Sequence, residues 1–307
     1  MEPIRVVVGP LGGSGIAEAV AAVPGVEAAI VRHRSGMLSA LDGIPVVVTF
    51  GWSDDWLTPD LEWIQSVSAG TDQFPVDALR EHGVTLTSAT GIHEVQVAEH
   101  ALGLLLAMTR GIAQAVANQQ SRTWSRTTVT ELSGMTLGVL GLGVIGEGLA
   151  RRAAALGMRV IGTKREPAAY AGVAERVFGP DGTLEVFRKA DAVVITLPGT
   201  PETEGMVGAD ELAALAGGWL VNVGRASVID TDALIEAMRA GTLAGAALDV
   251  FDTEPLPPES PLWDLPGVVI SPHLAGLSPR YGERLAALFA RNLEAYRGGG
   301  EWVNRVV

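Results

Sequence analysis

The chain has 307 residues, of which 48% are apolar and 19% are charged, and its formal net charge is −13. This composition is typical of a globular protein, and the length corresponds to about two domains. The acidic balance disfavours nucleic acid and anionic lipid as partners, and the lack of cysteine excludes disulfides, thiolate metal sites and a cysteine nucleophile, so we expect no metal.

The sequence has neither the pattern of a signal peptide nor that of a membrane-spanning helix. The opening segment MEPIRVVVG has too few apolar residues for a signal peptide. The longest apolar stretch, 101–108, is shorter than the ~20 residues that a membrane span needs. We therefore expect a cytoplasmic protein with no membrane partner.

Short apolar runs alternate with helical patterns along the whole chain. The runs are continuous rather than alternating, which is typical of strands buried on both faces of parallel sheets. The predicted strands are 5–9, 46–50, 64–69, 84–89, 136–141, 159–163, 192–198, 219–224, 246–250 and 268–272. The predicted helices between and after them include 93–118, 144–157, 209–216, 230–240 and an amphipathic helix within 280–297.

This alternation predicts α/β architecture. Ten strands are too many for one small sheet, so we predict two doubly wound parallel-sheet domains. The polar segment 120–134 ends in Ser-Gly directly before a new strand, which suggests a connection into a fresh folding unit.

The segment GLGVIG, 141–146, matches the dinucleotide fingerprint G-x-G-x-x-G, follows a predicted strand and opens a predicted helix. Gly141 would permit the tight turn, Gly143 would let the backbone approach a pyrophosphate, and Gly146 would let helix and strand pack closely. The helix N-terminus would supply N–H groups for the phosphates. A second glycine-rich segment, 9–15, has Glu18 where a small residue should pack, and we interpret it as a loop.

The end of the next strand indicates which nicotinamide cofactor is used. An acidic residue there would bind a ribose 2′-hydroxyl, but this chain has Thr163, Lys164 and Arg165. Two cations without a carboxylate favour a 2′-phosphate, so we expect NADP(H), with NAD(H) as the alternative.

Three polar side chains follow three predicted strands near the end of the chain. They are Arg225, Glu254 and His273. The carboxyl ends of parallel strands carry the active sites of open α/β sheets, so these residues can converge there. His100, on the predicted helix beside Glu99, is interpreted as a packing or capping residue.

These motifs together resemble the D-isomer-specific 2-hydroxyacid dehydrogenase family, and its glyoxylate/hydroxypyruvate reductase members in particular. The matching segments occur in family order: VSAGTDQF (67–74), VAEHALGLLLAMTR (97–110), GLGVIG (141–146), NVGRASVID (222–230), LDVFDTEPLP (248–257) and SPHLAG (271–276). The resemblance implies a Rossmann dinucleotide-binding domain at 93–280 and a flavodoxin-like substrate domain formed by 1–92 plus 281–307, with a cleft between them. It also implies a homodimer, to which the helix 93–118 contributes.

The resemblance implies reduction of a 2-keto acid, such as glyoxylate or hydroxypyruvate, to the (R)-2-hydroxy acid. Arg225 would hold the carboxylate and polarise the ketone, His273 would donate the proton, and Glu254 would keep the imidazole charged and oriented. The backbone of Ser68, Ala69 and Gly70 would bind the substrate carboxylate. The implied cofactor contacts are Gly141, Gly143, Val144, Ile145, Gly146, Thr163, Lys164, Arg165, Pro198, Val223, Gly224, Asp249, Ala275 and Gly276.

Some positions depart from the family pattern. Ala226 stands where a glycine usually follows the arginine, so this loop is expected to sit slightly differently. Glu254 is a glutamate where formate dehydrogenases of the superfamily have a glutamine, which argues against formate as substrate. The chain ends at Val307, which leaves no room for the regulatory domain of the longer phosphoglycerate dehydrogenases.

Two alternatives remain open. The first is a phosphite- or phosphoerythronate-type dehydrogenase that uses the same three residues, although no second cation is evident for an oxyanion-rich substrate. The second is a non-catalytic NAD(P)H-sensing interaction protein like the C-terminal-binding corepressors, although this chain lacks extra tails and basic patches.

Overall fold

The computed structural model describes residues 2–11 and 15–307. The chain divides into two compact units, Met1–His93 with Leu277–Val307, and Glu94–Gly276. We call them the first and the second unit. The loop predicted at 9–15 lies partly outside the described residues, because 12–14 are among those that the structure does not describe.

The first unit contains a sheet of five parallel strands in the order β2-β1-β3-β4-β5. This is the flavodoxin-like order. Its strands are β1 (Ile4–Val8), β2 (Val26–Ile30), β3 (Val46–Thr49), β4 (Trp63–Ser66) and β5 (Thr85–Thr87).

The second unit contains a sheet of seven parallel strands in the order β12-β11-β10-β9-β6-β7-β8. The chain reverses direction across the sheet between β9 and β6, as in a doubly wound dinucleotide-binding fold. Its strands are β6 (Thr136–Leu140), β7 (Arg159–Thr163), β8 (Arg176–Phe178), β9 (Ala192–Ile195), β10 (Trp219–Asn222), β11 (Gly245–Leu248) and β12 (Val268–Ile270). Two parallel α/β sheets confirm the predicted fold class.

Helices connect the strands in both units. Those of the first unit are α1 (Ile16–Ala21), α2 (Met37–Ala40), α3 (Val76–Glu81) and the terminal α10 (Tyr281–Tyr296). Those of the second unit are α4 (Glu94–Thr109), α5 (Ile112–Gln120), α6 (Val144–Ala155), α7 (Thr183–Lys189), α8 (Ala209–Ala214) and α9 (Thr231–Arg239). No single helix in the described ranges is long and apolar enough to cross a membrane. Taken together, α4 and α5 have the length and composition of a span, but the pair is bent by 67° at the break between them.

The structure has two strands that were not predicted, and it divides the helix predicted over 93–118. The strands β2 and β8 were not predicted, because both lie at sheet edges and neither is a continuous buried run. The single helix predicted over 93–118 is wrong: it breaks into α4 and α5 at Gly111. That glycine has φ 67°, a left-handed conformation that ends a helix without a Cβ penalty.

Both units have buried apolar cores, and the first depends on an aromatic cluster around Trp63. This side chain is fully buried, stacks on Phe289 of α10 at a centroid distance of 5.0 Å, and meets Trp302 edge-on at 5.1 Å. Its indole Nε1–H donates to Thr87 Oγ1 over 2.9 Å. The cluster therefore ties the last helix of the chain to the sheet of the first unit.

We predict that Trp63→Ala destabilises the protein by about 3–5 kcal/mol, because it removes a large buried ring and leaves a cavity that α10 cannot fill. Urea unfolding followed by circular dichroism measures this change. Leu38→Ala is the matched control, because Leu38 is 53% exposed and should change the free energy of unfolding little. A loss below about 1 kcal/mol for Trp63→Ala would contradict the assignment of Trp63 as the core anchor.

Candidate active site

The three predicted catalytic residues follow three adjacent strands of the seven-stranded sheet. Arg225 comes after β10, Glu254 after β11 and His273 after β12, and these strands are neighbours in the order β12-β11-β10. Because all three strands run in parallel, the loops after them begin at the same end of the sheet, where the carboxyl ends of the strands lie. The topology therefore brings the three loops together.

His273 and Glu254 form a direct pair. Nδ1 of His273 lies 2.7 Å from Oε2 of Glu254, and the other carboxylate oxygen, Oε1, accepts the backbone N–H of Phe251 over 3.0 Å. A carboxylate carries no proton to donate, so Nδ1 holds the hydrogen and Nε2 is left for another group. The imidazole is 54% exposed. It can therefore exchange a proton through Nε2 with a bound molecule.

Arg225 lies on a loop that is held by a buried asparagine of β10. The Asn222 amide donates from Nδ2 to the Arg225 carbonyl over 2.9 Å, and its Oδ1 accepts the Gly224 N–H over 3.0 Å. Arg225 is exposed, and its Nη1 donates to the Gly224 carbonyl. Ala226 does not have a positive φ, so the alanine is accommodated without strain. Asn222 was not identified from the sequence, although a polar residue inside an apolar strand was the available signal.

Asp249, at the end of β11, is 1% exposed and holds the loop that carries His273. Its Oδ1 accepts the Ser271 hydroxyl over 2.6 Å and the Leu274 N–H over 2.8 Å, and its Oδ2 accepts the Ala275 N–H over 2.9 Å. Nε2 of His100 lies 3.2 Å from Oδ1 and 2.9 Å from the Ser271 oxygen. The carboxylate thus binds four groups of the protein, and its predicted contact with a nicotinamide stays a prediction.

The electrostatics of Asp249 follow from these bonds. Burial alone raises the pKa of a carboxyl group. Here the hydrogen bonds from His100, from the Ser271 hydroxyl and from the Ala275 and Leu274 amides outweigh burial and hold the pKa of Asp249 below its ordinary value. Asp249 is therefore a stable buried anion at the base of the His273 loop.

The glycine-rich segment forms the turn between β6 and α6. Gly141 has φ 96°, a conformation that favours glycine. A Cβ on Gly146 would lie 2.1 Å from the Gly141 carbonyl oxygen, whereas a Cβ on Gly143 would meet nothing within 4 Å. The first N–H groups of α6 lack intrahelical acceptors, as in any helix. The residues present therefore fit a dinucleotide pyrophosphate beside Gly143 and the start of α6.

The end of β7 contains the three residues predicted to select the cofactor. Thr163 is 4% exposed, and its Oγ1 accepts the Gly141 N–H over 3.2 Å, so its hydroxyl organises the glycine turn. Nζ of Lys164 donates to the Leu142 carbonyl over 2.9 Å, which places the ammonium at the same turn. Arg165 is exposed. Lys164 thus offers positive charge beside the turn, and Arg165 follows it in sequence.

Of the other predicted cofactor contacts, Val144 and Ile145 open α6, and the rest lie on the loops after β9, β10 and β12. Thr196, after β9, donates to the Gly141 carbonyl over 2.8 Å, and the Gly224 Cα lies so close to β9 that a Cβ would be 2.6 Å from the Leu197 carbonyl. Val144 and Pro198 are exposed, Ile145 and Gly276 are partly exposed, and Val223, Gly224 and Ala275 are buried.

The predicted substrate loop, Ser68–Gly70, belongs to the first unit and follows β4. The Ser68 N–H donates to Ser66 Oγ over 3.1 Å, and the Ser68 hydroxyl donates to the Gly70 carbonyl and accepts Nε2 of Gln73 over 3.1 Å. Within the part of the chain that the structure describes, the Ala69 and Gly70 amides donate to no protein acceptor. Two such amides can bind a carboxylate.

Comparisons with known proteins indicate the family of this chain. A family model described as D-isomer specific 2-hydroxyacid dehydrogenase, NAD binding domain, matches residues 102–275. A glyoxylate reductase of Thermofilum pendens is 35% identical over 78% of this chain and 73% of its own length. A D-3-phosphoglycerate dehydrogenase of Mycobacterium leprae is 37% identical over 78% of this chain but only 46% of its own length.

Solved structures show the same fold. An NADPH-dependent glyoxylate/hydroxypyruvate reductase of Sinorhizobium meliloti, in complex with NADP and malonate, superimposes with a TM-score of 0.79 at 28% identity, over 100% of this chain and 97% of that one. The resemblance drawn from the motifs is thereby confirmed. The chain belongs to the D-isomer-specific 2-hydroxyacid dehydrogenase family of NAD(P)-dependent oxidoreductases.

Proposed function

We propose that this protein reduces a small 2-keto acid, glyoxylate or hydroxypyruvate, to the (R)-2-hydroxy acid with NADPH. The observation that carries the proposal is the 2.7 Å bond between Nδ1 of His273 and Glu254, which leaves Nε2 as the proton-donating atom on an exposed ring. The NADPH-dependent reductase with which the structure superimposes supports the choice of substrate and cofactor.

The residues of this chain divide the work of ketone reduction. Arg225 has the planar guanidinium that can bind a carboxylate through two parallel hydrogen bonds while it polarises the neighbouring ketone. In the first unit, the amides of Ala69 and Gly70 are donors that suit a carboxylate. His273, as imidazolium, gives the proton of Nε2 to the oxygen that becomes the hydroxyl, and Glu254 stabilises the charged ring. When bound, the nicotinamide supplies the hydride.

NADPH is the preferred cofactor in this proposal. Lys164 uses one of its three N–H donors on the Leu142 carbonyl, and the remaining two can reach a phosphate. Arg165 adds a second charge at the end of the same strand. No acidic residue takes the position after β7 where a carboxylate would bind the ribose 2′-hydroxyl.

We expect His273→Gln to lower the turnover of keto acid by at least ~100-fold, because it removes the acid–base group, while NADPH binding stays intact. Oxidation of NADPH with glyoxylate, hydroxypyruvate, pyruvate and phenylpyruvate measures turnover, and NADPH fluorescence measures binding. The control is His82→Gln, an exposed histidine of the first unit outside the proposed site.

Normal turnover by His273→Gln would contradict the proton-transfer assignment. Wild-type protein that binds NADPH but reduces none of the four acids would instead favour the alternatives. Phosphite and phosphoerythronate then test the oxyanion-dehydrogenase alternative, and inactivity with these too would point to a sensing protein.

We expect the double substitution of Lys164 and Arg165 by alanine to weaken NADPH binding at least ~10-fold and NADH binding less than about twofold, because only NADPH has a 2′-phosphate for these cations. Titration of cofactor fluorescence gives both dissociation constants. Lys189→Ala is the matched control, since Lys189 is the other lysine of the chain and pairs with Glu185 on α7. Equal losses for both cofactors would remove Lys164 and Arg165 from the phosphate site.

We also propose that the protein is a homodimer joined through a face of the second unit around α5. Apolar side chains are exposed on α5 and the segment after it: Ile112 and Val116 by 51% each, Val129 by 46%, and Trp124 by 99%. Contiguous exposed apolar side chains are typical of interaction surfaces.

We expect wild-type protein to sediment as a dimer and Val116→Glu to sediment as a monomer, because a charge at the centre of the apolar face cannot be paired there. Analytical ultracentrifugation makes the measurement. Leu38→Glu is the control, because Leu38 has the same exposure but lies on α2 of the first unit. A dimer that survives Val116→Glu would place the interface elsewhere.

A further inference from the structure

We propose that His100 is a positioning residue for proton transfer: by donating a hydrogen bond to Asp249 and Ser271 it fixes the loop on which His273 stands. This inference rests on the proposed function, since it assigns His100 a part in the chemistry of His273. From the sequence alone, His100 is interpreted only as a packing or capping residue of a helix.

The hydrogen-bond pattern determines where the proton of His100 sits. The Ser271 hydroxyl donates to Asp249 Oδ1 over 2.6 Å, so it presents a lone pair rather than a hydrogen to Nε2 of His100, 2.9 Å away. Asp249 Oδ1, 3.2 Å from the same nitrogen, can only accept. Both neighbours of Nε2 are acceptors, and Nε2 therefore carries the hydrogen.

The group that receives this hydrogen bond controls the His273 loop directly. The Asp249 carboxylate accepts the N–H groups of Leu274 and Ala275, and the Asp249 carbonyl accepts the His273 N–H over 3.0 Å. The backbone N–H groups of three successive loop residues, 273–275, thus all donate to Asp249. A carboxylate that turned away from them would release the loop immediately beside the reacting imidazole.

His273 needs such a restraint because of its backbone conformation. Its φ is 53°, in the left-handed region that residues other than glycine rarely adopt. A residue holds that conformation only when the surrounding contacts over-determine it. The contacts here are the amide bonds to Asp249 on one side and the Glu254 bond to the ring on the other.

The side chain of His100 connects these contacts to helix α4 of the second unit. It stands on α4, a 16-residue helix whose buried face contributes to the core under the sheet. Its ring is 24% exposed and reaches across 171 positions of sequence to Ser271. The orientation of the Asp249 carboxylate is therefore set from α4 rather than from the loop alone.

The test compares His100→Leu, which removes the donor at similar volume, with His100→Gln, whose amide can place an N–H near the position of Nε2. Steady-state reduction of the preferred keto acid gives kcat and KM, fluorescence titration gives NADPH binding, and hydrogen exchange by mass spectrometry follows peptides that contain 271–276. Glu99→Gln, an exposed neighbour on α4, is the control for any change to this helix.

We expect His100→Leu to lower kcat at least ~10-fold at saturating NADPH, since a displaced proton donor slows the chemical step even when the cofactor is fully bound. The 271–276 amides should exchange at least ~10-fold faster. His100→Gln should restore most of kcat and of the protection. A role confined to stability would instead lower the melting temperature while the folded enzyme kept its kcat.

A folded His100→Leu protein with kcat and exchange within twofold of wild type would overturn the inference, as would equal losses in the Gln and Leu variants. If His100→Leu does not fold, His100→Asn replaces it, because the shorter amide does not reach Asp249. Wild-type protein inactive on every keto acid would overturn the proposed function alone. The exchange measurement would then still decide whether His100 holds the loop.

Discussion

The adjacency of three parallel strands is the constraint on which the proposed chemistry depends. Parallel strands point their carboxyl ends the same way, so the loops after β10, β11 and β12 leave one edge of the sheet side by side. Arg225, Glu254 and His273 lie far apart in sequence but each follows one of these strands. The sheet places the three loops side by side, and the conformation of each loop sets the exact position of its side chain.

Those fine positions are held by buried polar groups rather than by apolar packing. Asn222 fixes the Arg225 loop and Asp249 fixes the His273 loop, and both side chains are 1% exposed. A buried anion is costly unless its oxygens are hydrogen-bonded, and Asp249 meets that requirement with four donors. These four donors also hold the Asp249 carboxylate in one orientation. The loop above it then has one conformation, including the left-handed backbone of His273.

The sequence predicted the interior of this fold better than its edges, for a physical reason. Interior parallel strands are buried on both faces and form continuous apolar runs, whereas the edge strand β2 alternates between partly buried and exposed positions. The glycine turn and the three strand-end residues could be identified because their residue types and order are local features. Asn222 and Ser271 could not be given roles, and His100 was interpreted only as a packing or capping residue, because each acts through a partner that only the tertiary structure brings near. The break at Gly111 was missed because the apolar pattern continues across it.

The pairing of His273 with a carboxylate has a consequence for reversibility. Oε1 of Glu254 is occupied by the Phe251 amide, so Oε2 alone faces the imidazole, and it can only accept. The hydrogen on Nδ1 is therefore fixed whatever the protonation state of the ring. The neutral ring then presents a lone pair at Nε2, and the imidazolium presents a hydrogen at the same atom. Nε2 of His273 can therefore give a proton to a ketone or take one from a hydroxyl without any change in geometry. The same arrangement serves reduction and oxidation, and the redox state of the cofactor decides the direction.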